Sequence, residues 1–157
     1  MLGATGVGKT SLVRRFVESL FSERYQATIG VKIDRRLVEL DGQQVSLLLW
    51  DLQGEDDLQR VRLSYLRGAS GLIYVADGTR PETLDTAQSI QAGAIETIGT
   101  VPSLLLVNKS DLTSDWRVDD ATIATRGPAN VGVLRTSARD GTNVEAGFEQ
   151  LVRAIGV

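Results

Sequence analysis

Cysteine and histidine are both absent from the 157 residues. Without cysteine there is no disulfide, no thiolate nucleophile and no Cys-ligated zinc. Without histidine the usual general base and the commonest metal ligand are missing. Chemistry is confined to Lys, Asp, Glu, hydroxyls, backbone and a hard cation held by oxygen. No apolar run comes near the roughly 20 residues that span a bilayer. No signal peptide precedes the first motif, and the closing Ala154-Ile155-Gly156-Val157 has no cysteine to carry a lipid. The expectation is a soluble, cytoplasmic chain. A net charge of −3 and a pI near 5.0 argue against nucleic acid as the main partner.

What is present is ordinary in bulk: 42% hydrophobic and 24% charged residues suit one globular domain with a real core. The informative stretch is Gly3-Ala4-Thr5-Gly6-Val7-Gly8-Lys9-Thr10, which fits G-x-x-x-x-G-K-[ST] at every fixed position. Polyphosphate is bulky and highly charged, so the backbone must wrap it closely. Glycines at positions 3, 6 and 8 allow that, and successive N–H groups form a nest for anions. A helix starting near Lys9 adds its positive end. Lys9 is expected to reach the outer phosphates and the Thr10 hydroxyl to hold Mg²⁺.

Only Met1 and Leu2 precede this loop, where an apolar strand is expected. The chain is therefore read as a domain over 1–157 that is truncated at its N-terminus, or a sheet lacking most of its first strand. Leu12, Val13, Phe16, Val17 and Leu20 then recur at helical spacing. Residues 21–30 read as a long loop. Residues 31–40 read as an exposed or edge strand, Asp41-Gly42 as a hairpin turn, and 45–50 as a more buried antiparallel neighbour. Apolar runs at 71–76, 103–107 and 131–136 alternate with helices at 81–98, 120–125 and 144–155. That alternation predicts an α/β fold of the P-loop type in three layers. Its sheet is mostly parallel with one antiparallel strand, and helices cover both faces. Ligands of such sheets bind beyond the carboxyl ends of the strands, where every polar motif here lies.

Taken together, the motifs resemble the Ras superfamily of small GTPases, its Rab-like branch most closely, over nearly the whole chain. The resemblance rests on Gly6 to Phe16, Thr28-Ile29-Gly30-Val31, Leu40-Asp41-Gly42, Trp50-Asp51 and Tyr65-Leu66-Arg67-Gly68-Ala69. Asn108-Lys109-Ser110-Asp111 and Thr136-Ser137-Ala138-Arg139 complete it. Thr5 adds to the Rab-like likeness, because a small hydroxyl residue is frequent there in that branch. The resemblance implies GTP or GDP as ligand, cradled by Gly3, Thr5, Gly6, Val7, Gly8, Lys9, Thr10 and Ser11. It implies that Asp111 accepts from the guanine N1–H and amine, a donor pair adenine lacks. Lys109 would lie over the base, Asn108 would tie the motif to the phosphate loop, and Phe21 would pack on the base edge. Ser137, Ala138 and Arg139 would complete the base pocket, with the Ala138 N–H meeting the guanine O6. Thr10, Thr28 and, through water, Asp51 would hold Mg²⁺. Thr28 would sense the γ-phosphate, and the Gly54 N–H would donate to it. Lys9, Gly54, Thr28 and residue 55 would serve hydrolysis by in-line attack of water. Without the resemblance, Phe21 reads as core, Thr28 as a loop threonine and Gly54 as a turn glycine.

The departure lies at Asp51-Leu52-Gln53-Gly54-Glu55, where the family usually has Asp-Thr-Ala-Gly-Gln. A glutamate at 55 can accept a hydrogen bond from water but cannot donate one, and it adds negative charge beside the γ-phosphate. Gln53 is the one other side chain nearby with a donor to offer, though it also reads as solvent-facing. The sequence therefore points to a GTP-hydrolysing switch, slow without a partner. Effector, exchange and activating proteins would act through 21–30 and 54–67. The alternative is a GTP-binding scaffold or interaction module with negligible hydrolysis. A P-loop kinase or ATPase is disfavoured by Asn108-Lys109-Ser110-Asp111 and by the lack of a second-substrate site.

Overall fold

The computed structural model describes residues 1–24, 26–54 and 63–157. Its elements run β1 (Leu2–Gly3), α1 (Lys9–Glu18), β2 (Val31–Leu40), β3 (Gln43–Leu52), a 3-10 turn (Leu63–Leu66) and β4 (Leu72–Asp77). They continue with α2 (Glu82–Ile98), β5 (Ser103–Asn108), α3 (Asp120–Arg126), β6 (Gly132–Arg135) and α4 (Val144–Ile155). β1, β4, β5 and β6 form a parallel sheet in the order β1-β4-β5-β6, and β2 and β3 form a separate antiparallel pair.

β4 and β5 are buried at every residue, which explains their unbroken apolar runs. Leu72, Tyr74, Ala76, Leu105 and Val107 join the cluster formed with α2 and α3. Ile73, Val75, Leu104 and Leu106 face the opposite way, toward Leu12 and Phe16 of α1 and Phe148 and Leu151 of α4. Period-2 alternation thus feeds two cores, one on each face, and the three layers follow. The rings of Phe16 and Phe148 stack at 3.9 Å and fix α1 against α4. Each large side chain buried this way contributes about 1.5–3 kcal/mol.

The hairpin turns at Asp41 and Gly42 with φ of 52° and 81°, the left-handed pair that a two-residue turn requires. One expectation fails here. The strand over 45–50 is not more buried than its partner: Leu48 and Trp50 are 62% and 40% exposed, whereas β2 buries Val38 and Leu40. One face of the pair turns Val38, Leu40, Val45, Leu47 and Leu49 toward the α1/α4 core. The other face carries Ile33, Leu37, Leu48 and Trp50 outward. The second difference is the break between the sheets. β1 is two residues long, so β3 reaches it only where the Met1 amino group donates to Trp50 O at 2.8 Å. Side chains hold the hairpin instead. Arg36 of β2 donates to Phe16 O and to both Glu145 oxygens of α4, at 2.8 and 2.7 Å, with its guanidinium over the Phe16 ring.

α3 is capped by Asp119, which accepts from Thr122 N at 2.7 Å. Among the described residues no helix is long and apolar enough to cross a membrane.

Candidate functional site

The register of the parallel sheet aligns Gly3 with Val75 and Asp77 with Asn108. The turns after β1, β4, β5 and β6 therefore open on one edge. The turn after β1 passes directly into α1 with Gly8 at φ 102°. A Cβ on Gly8 would stand 2.3 Å from Asn108 Nδ2, which donates to Val7 O at 3.1 Å. Asn108 thus occupies the space that the missing side chain leaves, and ties the segment after β5 to the glycine loop. Lys9 is 5% exposed and folds over that loop, donating to Gly3 O at 3.0 Å and Ala4 O at 2.9 Å. Gly6 lies in the same loop, and Ser11 lies on the first turn of α1.

Three oxygens meet beside Thr10. Its hydroxyl donates to Asp51 Oδ2 at 2.5 Å and lies 2.6 Å from the Thr28 hydroxyl. Asp51 is fully buried, and its Oδ1 has no hydrogen-bond partner among the described residues. Burial pushes its carboxyl above the usual range, against the Thr10 hydrogen bond and the nearby cations that lower it. An orphaned buried carboxylate oxygen beside two hydroxyls is a donor set that fits a small hard cation. Among the described residues no three carboxylates, histidines or cysteines cluster as a metal cage, so such an ion needs further oxygens from a ligand or water.

Gly54 closes against the loop from the other side. Its carbonyl accepts from the Thr5 hydroxyl at 3.0 Å, and a Cβ on it would meet Thr5 Cα at 2.6 Å and Lys9 Nζ at 2.9 Å. Gln53 is exposed yet engaged: its N–H donates to Gly30 O at 2.7 Å and its Oε1 accepts from Gly30 N at 3.1 Å. Through Oε1 it joins the end of β3 to the end of the 21–30 loop, while the side chain stays exposed, as its solvent-facing reading expected. Glu55 lies outside the described residues.

Asp111 follows β5 at the edge, and the buried Ser137 hydroxyl donates to its Oδ1 at 2.8 Å, which fixes the carboxylate's rotation. Ala138 N donates to Asn108 Oδ1 at 3.2 Å, so this N–H already has a protein partner. Lys109 has φ 71°, and its ammonium lies 2.7 Å from Asp77 Oδ2. Phe21 is exposed and has no aromatic partner among the described residues. Arg139 is exposed and pairs with Glu23 of the 21–30 loop at 3.2 Å.

Three further residues, Asp77, Arg80 and Arg15, build this edge, and the sequence assigned none of them a role in the site. Asp77, 1% exposed, accepts at Oδ1 from the Thr79 N–H and hydroxyl, and at Oδ2 from Lys109 and Arg80. Burial alone would raise its pKa, but Lys109 and Thr79 outweigh that and hold the carboxyl below its usual range. Arg80 also donates to Thr5 O at 2.8 Å. Arg15 of α1 donates from Nε to Ala138 O at 2.7 Å and from Nη2 to Arg139 O.

A comparison with protein families matches residues 1–156 to the Ras family. The chain belongs to the Ras family. Members of that family are GTP-binding switches and GTPases, and they bind GTP or GDP, typically with Mg²⁺. In this Ras-family domain, the glycine loop, the Thr10–Thr28–Asp51 trio and the Asn108/Asp111/Ser137 group converge on one edge of the parallel sheet. The oxygen trio suits the cation such members carry, and the glycine loop suits phosphate.

Proposed function

We propose that this domain is a guanine-nucleotide switch of the Rab-like branch that binds GTP and GDP with Mg²⁺ and hydrolyses GTP slowly until a partner acts. One observation carries the reading. Asn108 bonds Val7 of the glycine loop and, through Ala138, the segment that orients Asp111. A ligand with phosphates at one end and a base at the other suits that bridge.

In this reading Gly3, Thr5, Gly6, Val7, Gly8, Lys9, Thr10 and Ser11 hold the phosphates through N–H groups, the Lys9 ammonium and the helix end. Thr10, Thr28 and, through water, Asp51 would hold Mg²⁺, which would neutralise phosphate charge. Asp111 excludes adenine, because an unpaired desolvated carboxylate costs at least about 1–3 kcal/mol. The Ala138 N–H is shared between Asn108 Oδ1 and the guanine oxygen, since a 3.2 Å bond leaves room for a second acceptor. Lys109, Phe21, Ser137 and Arg139 border the base. Gly54 and Thr28 report the γ-phosphate, and Glu55 orients the attacking water. Segments 21–30 and 54–67 then meet effectors, exchange factors and activating proteins.

The test is single-turnover conversion of bound GTP, followed by chromatography of the nucleotide. Conversion to GDP that slows in Glu55→Ala supports a switch with glutamate in the water-positioning role. An unchanged rate in that variant removes Glu55 from the mechanism. GTP that persists unconverted for many hours, in a chain that rejects ATP, makes the domain a binding module instead.

A further inference from the structure

Arg15 lies six residues beyond Lys9 on α1, at the end of the helix away from the phosphate loop. Its guanidinium is half-buried and spent on backbone carbonyls, close enough to Asp140 for its charge to help lower that carboxyl's pKa. It spends Nε on Ala138 O at 2.7 Å, Nη2 on Arg139 O and Nη1 on Ser19 O at 3.3 Å. Two successive carbonyls of the segment after β6 are thus gripped by one planar fork, a match that a point-charge ammonium cannot copy. The same segment is wound tightly on its other side, with Ser137 N donating to Thr142 O at 3.1 Å and Gly141 N to Ser137 O at 2.9 Å. Arg15 therefore fixes where the Ala138 peptide sits relative to α1, whose first turn carries Lys9 and Thr10.

A purely structural role is unnecessary here. The Phe16–Phe148 stack already fastens α1 to α4, and Ser137 already fastens its segment to Asp111. We infer that Arg15 is a positioning residue for recognition of the purine 6-position: it holds the Ala138 N–H at a fixed distance from the phosphate loop, so that an oxo group there is accepted. The inference deepens the proposed guanine site and rests on it. Arg15 makes no contact with the ligand in this role, and Asp111 handles the other edge of the base. The two edges of the base are then set by different elements, Asp111 from the segment after β5 and Ala138 from a segment leashed to α1.

The experiment compares the affinities of GDP, 6-thio-GDP and IDP for the full chain and for Arg15→Gln and Arg15→Lys. Sulfur replaces the 6-oxygen in 6-thio-GDP, leaving the N1–H and amine intact, and IDP keeps the oxygen but lacks the amine. Wild type is expected to prefer GDP over both. Arg15→Gln is expected to lose about tenfold on GDP and on IDP and much less on 6-thio-GDP, so that selectivity for oxygen falls about tenfold while selectivity for the amine stays. Arg15→Lys recovers part of the loss. Equal losses on all three nucleotides, or none, overturn the proposal while the guanine site stands. A wild type with no preference for GDP over either analogue overturns the guanine site and the proposal together.

Discussion

At the scale of single residues, the site is a set of short reaches between segments far apart in the chain. Asp111 is held in one rotation by the Ser137 hydroxyl, and that geometry gives a sharp expectation. Asp111→Asn should turn preference from guanine to xanthine nucleotides, read by competition for bound GDP; guanine preference that survives removes Asp111 from base recognition. Asp77 gives another. It is a buried acid serving two cations, so Asp77→Asn should lower stability at neutral pH by about 2 kcal/mol, a figure discounted because Lys109 and Arg80 are partly exposed. Its folded pKa is depressed, so its contribution is present above the unfolded value of 3.8 and is lost as pH falls below that. The gap between variant and parent in urea midpoints should narrow from pH 6 toward pH 3. The glycine-loop residues and Asn108 to Asp111 were legible because each motif is local, its spacing tied to one turn. Arg15 and Arg80 were not. Their partners lie 123 and 75 residues away, and in the sequence each looks like one more solvated arginine.

Among elements, the parallel strands and the hairpin make opposite demands on sequence. Leu106 is fully buried between two helical layers, and Leu48 sits on a strand with one face open. Leu106→Ala should cost about 2–5 kcal/mol in urea unfolding, whereas Leu48→Gln should stay within about 0.5 kcal/mol. A large loss from Leu48→Gln would mean that the outer hairpin face is covered in solution. The runs at 71–76 and 103–107 read as buried strands because both faces demand apolar side chains. The same composition at 47–49 misled, since three leucines in a row carry no polar alternate to mark which face is open. Nor does any local signal show that β3 stands apart from the parallel sheet, because that depends on how little of β1 there is to pair with.

At the scale of the whole molecule, one edge of the sheet collects the buried acids Asp51 and Asp77, the buried Lys9 and the tightest backbone turns. Lys109, Arg80 and Thr79 satisfy Asp77, whereas Asp51 Oδ1 has no hydrogen-bond partner among the described residues, which suits a bound cation. GDP with Mg²⁺ at about a thousand times its Kd should therefore stabilise the domain by about 4 kcal/mol, a rise in melting temperature of roughly 10 °C over the same sample in EDTA. ADP with Mg²⁺ should leave the midpoint near the EDTA value, and an equal rise with ADP would contradict the base assignment. The Asn108 amide that fills the space over Gly8 has a consequence of another kind. In a library that randomises both positions, the two should show strong epistasis: any side chain at 8 evicts the amide at 108, and a lesion in the phosphate loop is then inherited as a loss of base discrimination.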